Sequence, residues 1–218
     1  MAGTPSVLAF DFDGVIVDSM AVHERCWSEA ATTVMGARAG NTASQLVANL
    51  YAGNAGDAMF ANTTLSDADR RALRATKDAL WARRKADVPI FPRAIEVCRR
   101  LSATRFLGIA TTANRAFVVS VLQRAGLLGC FGAIVTDEDV AHRKPAPDML
   151  VSIARLAGVR ASELCMTGDS PSDQLMAAAA GCRFILFSPP DRHVAAGVQA
   201  DAVVADWQEL GRLLETSS

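Results

Sequence analysis

Lysine is scarce in this 218-residue chain: Lys77, Lys85 and Lys144 are all of it, and arginine supplies the rest of the 22 basic residues. Against 23 acidic residues the formal net charge is -1 at pH 7. Without a basic excess, neither a nucleic acid nor a membrane surface is expected as the main partner. No CxxC pair occurs. The five cysteines (Cys26, Cys98, Cys130, Cys165 and Cys182) are odd in number and widely spaced, which speaks against a disulfide frame or a zinc site. They read as small buried hydrophobes in a reducing cytoplasm. No apolar stretch approaches the roughly 20 residues needed to span a bilayer. The first residues lack the charged segment of a signal peptide, and Asp11 and Asp13 interrupt the apolar run there. A cytoplasmic location is therefore expected. Internal repeats and low-complexity tracts are also missing.

What is present is a hydrophobic half of the composition, enough for a buried core and too much for a disordered chain. Short apolar runs predict buried parallel strands at 7–10, 106–110, 133–135, 164–166, 184–187 and 202–204. Helical patterns lie between most of them. Phe117, Val118, Val121 and Leu122 share one face of a helix over 115–125 that stops at Gly126. Pro147 opens a helix whose Met149, Leu150, Ile153 and Leu156 are expected to face inward. A third helix spans 172–180 and stops at Gly181. This alternation implies an α/β fold, a doubly wound, Rossmann-like parallel sheet. Ligands of such sheets bind at the carboxyl ends of strands. Residues from about 20 to 90 break the alternation, with helical stretches at 23–34, 43–51 and 67–84 and no convincing strand. They predict an inserted helical cap over 19–88, with the core formed by 1–18 and 89–218.

Asp11, Thr111 and Asp169 all fall at predicted strand ends. Asp11 and Asp13 are two apart, so in an extended segment both lean to one side, and Gly14 lets the chain turn sharply. A carboxylate can attack phosphorus to form a covalent acyl-phosphate, and a second carboxyl can protonate the leaving oxygen and then activate water. Asp169 and Asp173 supply oxygen ligands suited to Mg²⁺, although Asp173 also fits the role of helix N-terminal charge compensation. Thr111 and Thr112 precede a helix, where hydroxyl and backbone N–H groups can hold phosphate oxygens. Lys144, in Arg143-Lys144-Pro145-Ala146-Pro147-Asp148, is a cation on a rigid loop. An acidic pair alone would be an ordinary solvated turn; the whole set points to magnesium-dependent phosphoryl transfer.

The segments DFDGVIVDS, ATTANR, RKPAPD and GDSPSD, in that order, resemble the four motifs of the haloacid dehalogenase superfamily. The helical insert after the first resembles its C1-capped phosphatase and β-phosphoglucomutase-like branch. The resemblance covers nearly the whole chain. It implies Asp11 as nucleophile, Asp13 as general acid/base, Thr111 as phosphate ligand and Lys144 as the cation steadying nucleophile and phosphate. Asp11, the Asp13 carbonyl and Asp169 would hold Mg²⁺, with Asp173 a ligand or its partner. Asp13 argues against dehalogenase chemistry, and the absence of lysine before Lys77 argues against the phosphonate-cleaving branch. His23, Trp27 and Lys77 fall where the mutase branch has similar residues. However, the stretch between Arg38 and Arg70 holds no Lys, Arg or His. Its segment 49–56 offers no charge for the second phosphate of a bisphosphate and, less strongly, none for a carboxylate. His23 either supports Asp13 or merely packs the first cap helix. Pro92-Arg93 stands where relatives usually have Pro-Gly, which bears on hinge geometry.

The expected activity is hydrolysis of a small phosphomonoester, phosphoglycolate or a sugar phosphate, through an aspartyl-phosphate. Catalysis is assigned to Asp11, Asp13 and Lys144. Phosphate or substrate binding is assigned to Gly14, Thr111, Thr112, Lys144, His23 and Lys77, and metal binding to Asp11, Asp13, Asp169 and Asp173. A sugar phosphomutase is the alternative enzyme, and a quiet phosphate-binding relative the alternative non-enzyme. The expected partner is a small phosphorylated metabolite, with the protein a monomer or homodimer.

Overall fold

The computed structural model describes residues 5–51, 56–190 and 197–216. Contacts divide the chain into two units, residues 1–17 with 90–218, and residues 18–89. The first is an α/β unit. Six strands, β1 (Val7–Phe10), β2 (Phe106–Thr111), β3 (Phe131–Thr136), β4 (Leu164–Gly168), β5 (Arg183–Phe187) and β6 (Ala202–Val204), form one sheet in the order β3-β2-β1-β4-β5-β6. Every neighbouring pair is parallel. The order reverses about β1, whose Phe10 lies level with Ile109 of β2 and Thr167 of β4. The residues following β1, β2 and β4 are thus delivered to one edge, at the switch point where doubly wound sheets bind ligands.

Alternate side chains of each strand serve the two faces. Val7, Ala9, Ala110, Leu164 and Met166 pack with Met149, Leu150 and Ile153 of one helix and Met176 and Ala177 of another. The stacked rings of Phe10 and Trp207 mark the opposite face. β1, β2, β4 and β5 are buried on both faces over nearly their whole length, so they read as continuous apolar runs in the sequence. The helix at 148–157 turns Ala154, not Leu156, inward: Ala154 is buried and Leu156 is 59% exposed. Position 156 lies three residues beyond Ile153, but on the far edge of the stripe set by 149, 150, 153 and 154, so the expectation that it faces the core is corrected.

The second unit is helical: α1 (Met20–Met35), α2 (Ala39–Tyr51) and α3 (Asp67–Arg84). Its own core contains Trp27, Ala30, Leu46, Met59, Phe60 and Leu73. Buried Asn49 donates its amide to the carbonyls of Met59 and Ala61, at 2.9 Å each, and accepts from Gln45. It is thereby committed to joining α2 to the segment before α3. Positions 52–55 of the neutral segment lie outside the described residues. Ser66 and Asp69 cap α3 reciprocally.

The remaining helices belong to the α/β unit: α4 (Ala94–Ser102), α5 (Arg115–Arg124), α6 (Asp148–Ala157), α7 (Pro171–Ala180) and α8 (Trp207–Thr216). Arg93, the residue before α4, has φ 64° and ψ -7°. The departure from Pro-Gly therefore places a side chain in the left-handed region that glycine adopts at no steric cost.

Candidate active site

Asp11 follows β1 directly, and its backbone N–H donates to the Thr167 carbonyl of β4 at 2.9 Å. Beyond it the chain folds into a tight turn. Ile16 and Val17 both donate to the Phe12 carbonyl, Gly14 donates to Val17, and Gly14 has φ 83°. The glycine is required there because the left-handed conformation strains any side chain. The turn sets Asp13 close enough to Asp11 for its charge to add to the cost of ionising Asp11.

Lys144 arrives from the loop before α6, with a cis peptide to Pro145. Its ammonium lies 2.9 Å from Asp11 Oδ1 and 2.6 Å from Asp173 Oδ1, and its side chain is only 4% exposed. Burial opposes its charge, but the two carboxylates outweigh burial and hold the ammonium above the ordinary lysine range. Burial also pushes the Asp11 carboxyl up to about 7; Lys144 resists this shift, while Asp173 and Asp13 add to it. Crowded carboxylates around one cation leave the site short of positive charge.

Asp173 belongs to the first turn of α7 and is fully buried. Its second oxygen accepts from Ser170 N–H at 3.1 Å and Ser170 Oγ at 2.6 Å. Asp173 thus caps the helix with one oxygen and turns the other toward Lys144. Asp169, half-buried, completes the group. Ligand atoms of Asp11, Asp169 and Asp173 all lie within 4.8 Å of one another. Three hard oxygen donors at this spacing fit a divalent cation such as Mg²⁺, which would also supply the missing positive charge.

Thr111 closes β2, next to β1, and is buried. Its hydroxyl accepts from Ala113 N–H at 3.1 Å, bending the chain into α5, while Thr112 is exposed. A link absent from the sequence reading ties this turn to the one after β3. Asn114 donates to Glu138 at 2.9 Å, and Arg115 pairs with Asp139. Residues 23 and 77 lie in the helical unit. The His23 ring stacks on Trp81 at 3.9 Å, and the Lys77 ammonium stands 5.7 Å from the centre of Trp27 and 5.6 Å from that of Trp81. Burial, then the Lys77 charge, pushes His23 down to about 3, so it is neutral at pH 7.

A family model described as haloacid dehalogenase-like hydrolase matches residues 5–181. The chain belongs to that family. It is accordingly an enzyme of the hydrolase class. A phosphoglycolate phosphatase of Yersinia pseudotuberculosis is 27% identical over 80% of this chain and 77% of its own. Among solved structures, a subfamily IA hydrolase from Geobacter sulfurreducens superposes with a TM-score of 0.74 at 22% identity, covering 97% of each chain. A family hydrolase from Deinococcus radiodurans with bound phosphate and sodium gives 0.73 at 21% identity, over 100% of this chain and 97% of its own. These two show the shared fold. No helix of the described residues is long and apolar enough to cross a membrane.

Proposed function

We propose that this family hydrolase is a Mg²⁺-dependent phosphatase of small phosphomonoesters that works through an aspartyl-phosphate at Asp11. The observation that carries this reading is the Lys144 ammonium bridging Asp11 and Asp173 at the sheet's switch point, with Asp169 beside them. A site with three carboxylates and one buried cation is equipped to hold a metal and a phosphate dianion together. The likeness to a phosphoglycolate phosphatase supports the reaction class.

An Asp11 oxygen attacks phosphorus in line with the ester oxygen. A P–O bond to Asp11 forms as the bond to the leaving alkoxide breaks, and the Asp13 carboxyl gives that oxygen its proton. Asp13, now a carboxylate, takes a proton from water. The resulting attack on phosphorus releases inorganic phosphate and restores Asp11. Lys144 stabilises charge on the transferring group, where most of the catalytic effect of such reactions lies. Thr111 and the N–H groups that follow it hold a phosphate oxygen, with Thr112 and the backbone of Gly14 assisting. Asp11, Asp169, Asp173 and the Asp13 carbonyl would hold Mg²⁺, which neutralises repulsion between nucleophile and phosphate. His23 and Lys77 are assigned to substrate selection, and phosphoglycolate leads the candidates.

The test is inorganic-phosphate release from phosphoglycolate, hexose phosphates and nucleoside monophosphates, with and without Mg²⁺. Metal-dependent turnover of one or a few esters is expected. Silence of the folded protein on every ester, with rapid isomerisation of a sugar phosphate primed by a bisphosphate, would overturn the reading in favour of a mutase.

A further inference from the structure

Trp207 touches the acidic pair's chain on both sides. Its indole stacks on Phe10, the residue before Asp11, with ring centres 5.5 Å apart and planes at 28°. Its N–H donates to the carbonyl of Val15, two residues beyond Asp13, at 2.7 Å. Both groups are fully buried. The other bonds of this turn that are described above are made by backbone within it, and Phe91 N–H donates to Ile16 from the adjoining segment. Val15 instead depends on a side chain 192 positions away.

The tryptophan is itself held firmly. It opens α8, whose first turn is capped by Asp206, which accepts from the N–H groups of Gln208 and Glu209 at 2.7 and 2.8 Å. Glu209 in turn accepts from Ala205 N–H at 2.8 Å. A capped helix start is a rigid mount, because its otherwise unpaired N–H groups are satisfied. Without the indole N–H, the Val15 carbonyl would be buried and unpaired, and the turn would gain by moving to find a partner. Such a move swings Asp13 relative to Asp11, which is pinned separately through Thr167 and Lys144.

We infer that Trp207 is a positioning residue for the Asp13 carboxyl, so that the start of α8 serves proton transfer to the leaving group. This rests on the assignment of Asp13 as acid/base made above. Proton donation matters for an alkoxide, which leaves poorly, and hardly at all for p-nitrophenolate, which leaves without a proton.

The experiment compares kcat/KM for an alkyl phosphate and for p-nitrophenyl phosphate in three proteins. They are Trp207→Phe, the full chain with 3-benzothienylalanine at position 207 (the same shape without the N–H), and Asp13→Asn. General acid catalysis contributes about 100-fold or more. A displaced acid should therefore lower the alkyl phosphate value by about 10- to 100-fold and the p-nitrophenyl value by less than about 3-fold. The isostere keeps the test open if the phenylalanine variant does not fold. An equal fall for both esters in the folded isostere, while Asp13→Asn still discriminates, overturns the role of Trp207 and leaves the mechanism standing. If Asp13→Asn itself fails to discriminate, the acid assignment falls and the inference falls with it.

Discussion

The Asp173 side chain occupies the space that a side chain at Gly168 would need. A Cβ placed on Gly168 would lie 2.4 Å from Asp173 Cβ and 2.6 Å from its Oδ2. Real Cβ contacts are not that short, so the last residue of β4 must be glycine for the carboxylate to sit over the strand end. Gly168→Ala is therefore expected to fold but to push Asp173 away from Lys144 and Asp11. Overpacking of this kind costs about 1–3 kcal/mol. Calorimetry with Mg²⁺, or Mn²⁺ titrated by electron paramagnetic resonance, should show at least about tenfold weaker binding, or 1.4 kcal/mol. Unchanged metal affinity in the folded variant would remove Asp173 from the metal site.

His23 makes the helical unit's stability depend on pH. Its folded value of about 3 lies below the unfolded 6.5. Between those values the unfolded chain binds a proton that the folded chain refuses, so stability is full above pH 6.5 and declines as pH falls toward 3. The slope tends to about 1.4 kcal/mol per pH unit. His23→Phe keeps a ring against Trp81 and removes the titration. Urea melts from pH 7 to 4.5 should show a shallower decline in the variant than in the wild type, and parallel declines would contradict the stacked, neutral imidazole.

Arg93 holds a left-handed conformation at the start of α4, and its side chain makes an exposed pair with Glu96 at 3.3 Å. Exposed pairs contribute little, whereas the left-handed region costs an L-residue about 1–2 kcal/mol. Part of that is offset by the greater freedom of glycine in the unfolded chain. Arg93→Gly should stabilise the protein by about 0.5–1 kcal/mol in chemical denaturation, with kcat unchanged. A loss of stability would show that the guanidinium matters more than the backbone.

Much of this was legible because local chemistry and tertiary role coincide. The runs at 7–10 and 184–187 are strands, the second beginning one residue earlier at Arg183, since strands buried on both faces need continuous apolar side chains. The helices α4 and α8 are less legible in the sequence. α4 is nine residues long, and α8 carries Gly211 in its interior, which lowers helix propensity by about 1 kcal/mol relative to alanine. Their apolar spacing, Val97-Leu101 and Trp207-Leu210-Leu214, is the signal that was available. The approach of Lys144 to both Asp11 and Asp173 depends on two loops and the first turn of α7 meeting. No spacing along the chain encodes that distance, and none encodes the bond from Trp207 to Val15.

The central claim is that Asp11 becomes covalently phosphorylated. The direct measurement is rapid acid quench of the wild-type enzyme turning over a ³²P-labelled ester in Mg²⁺, followed by peptide mapping of the protein-bound label. The account predicts acid-stable, hydroxylamine-labile label on the peptide containing Asp11, with neither label nor turnover in Asp11→Asn. Normal turnover by Asp11→Asn, or label on another residue, would contradict it.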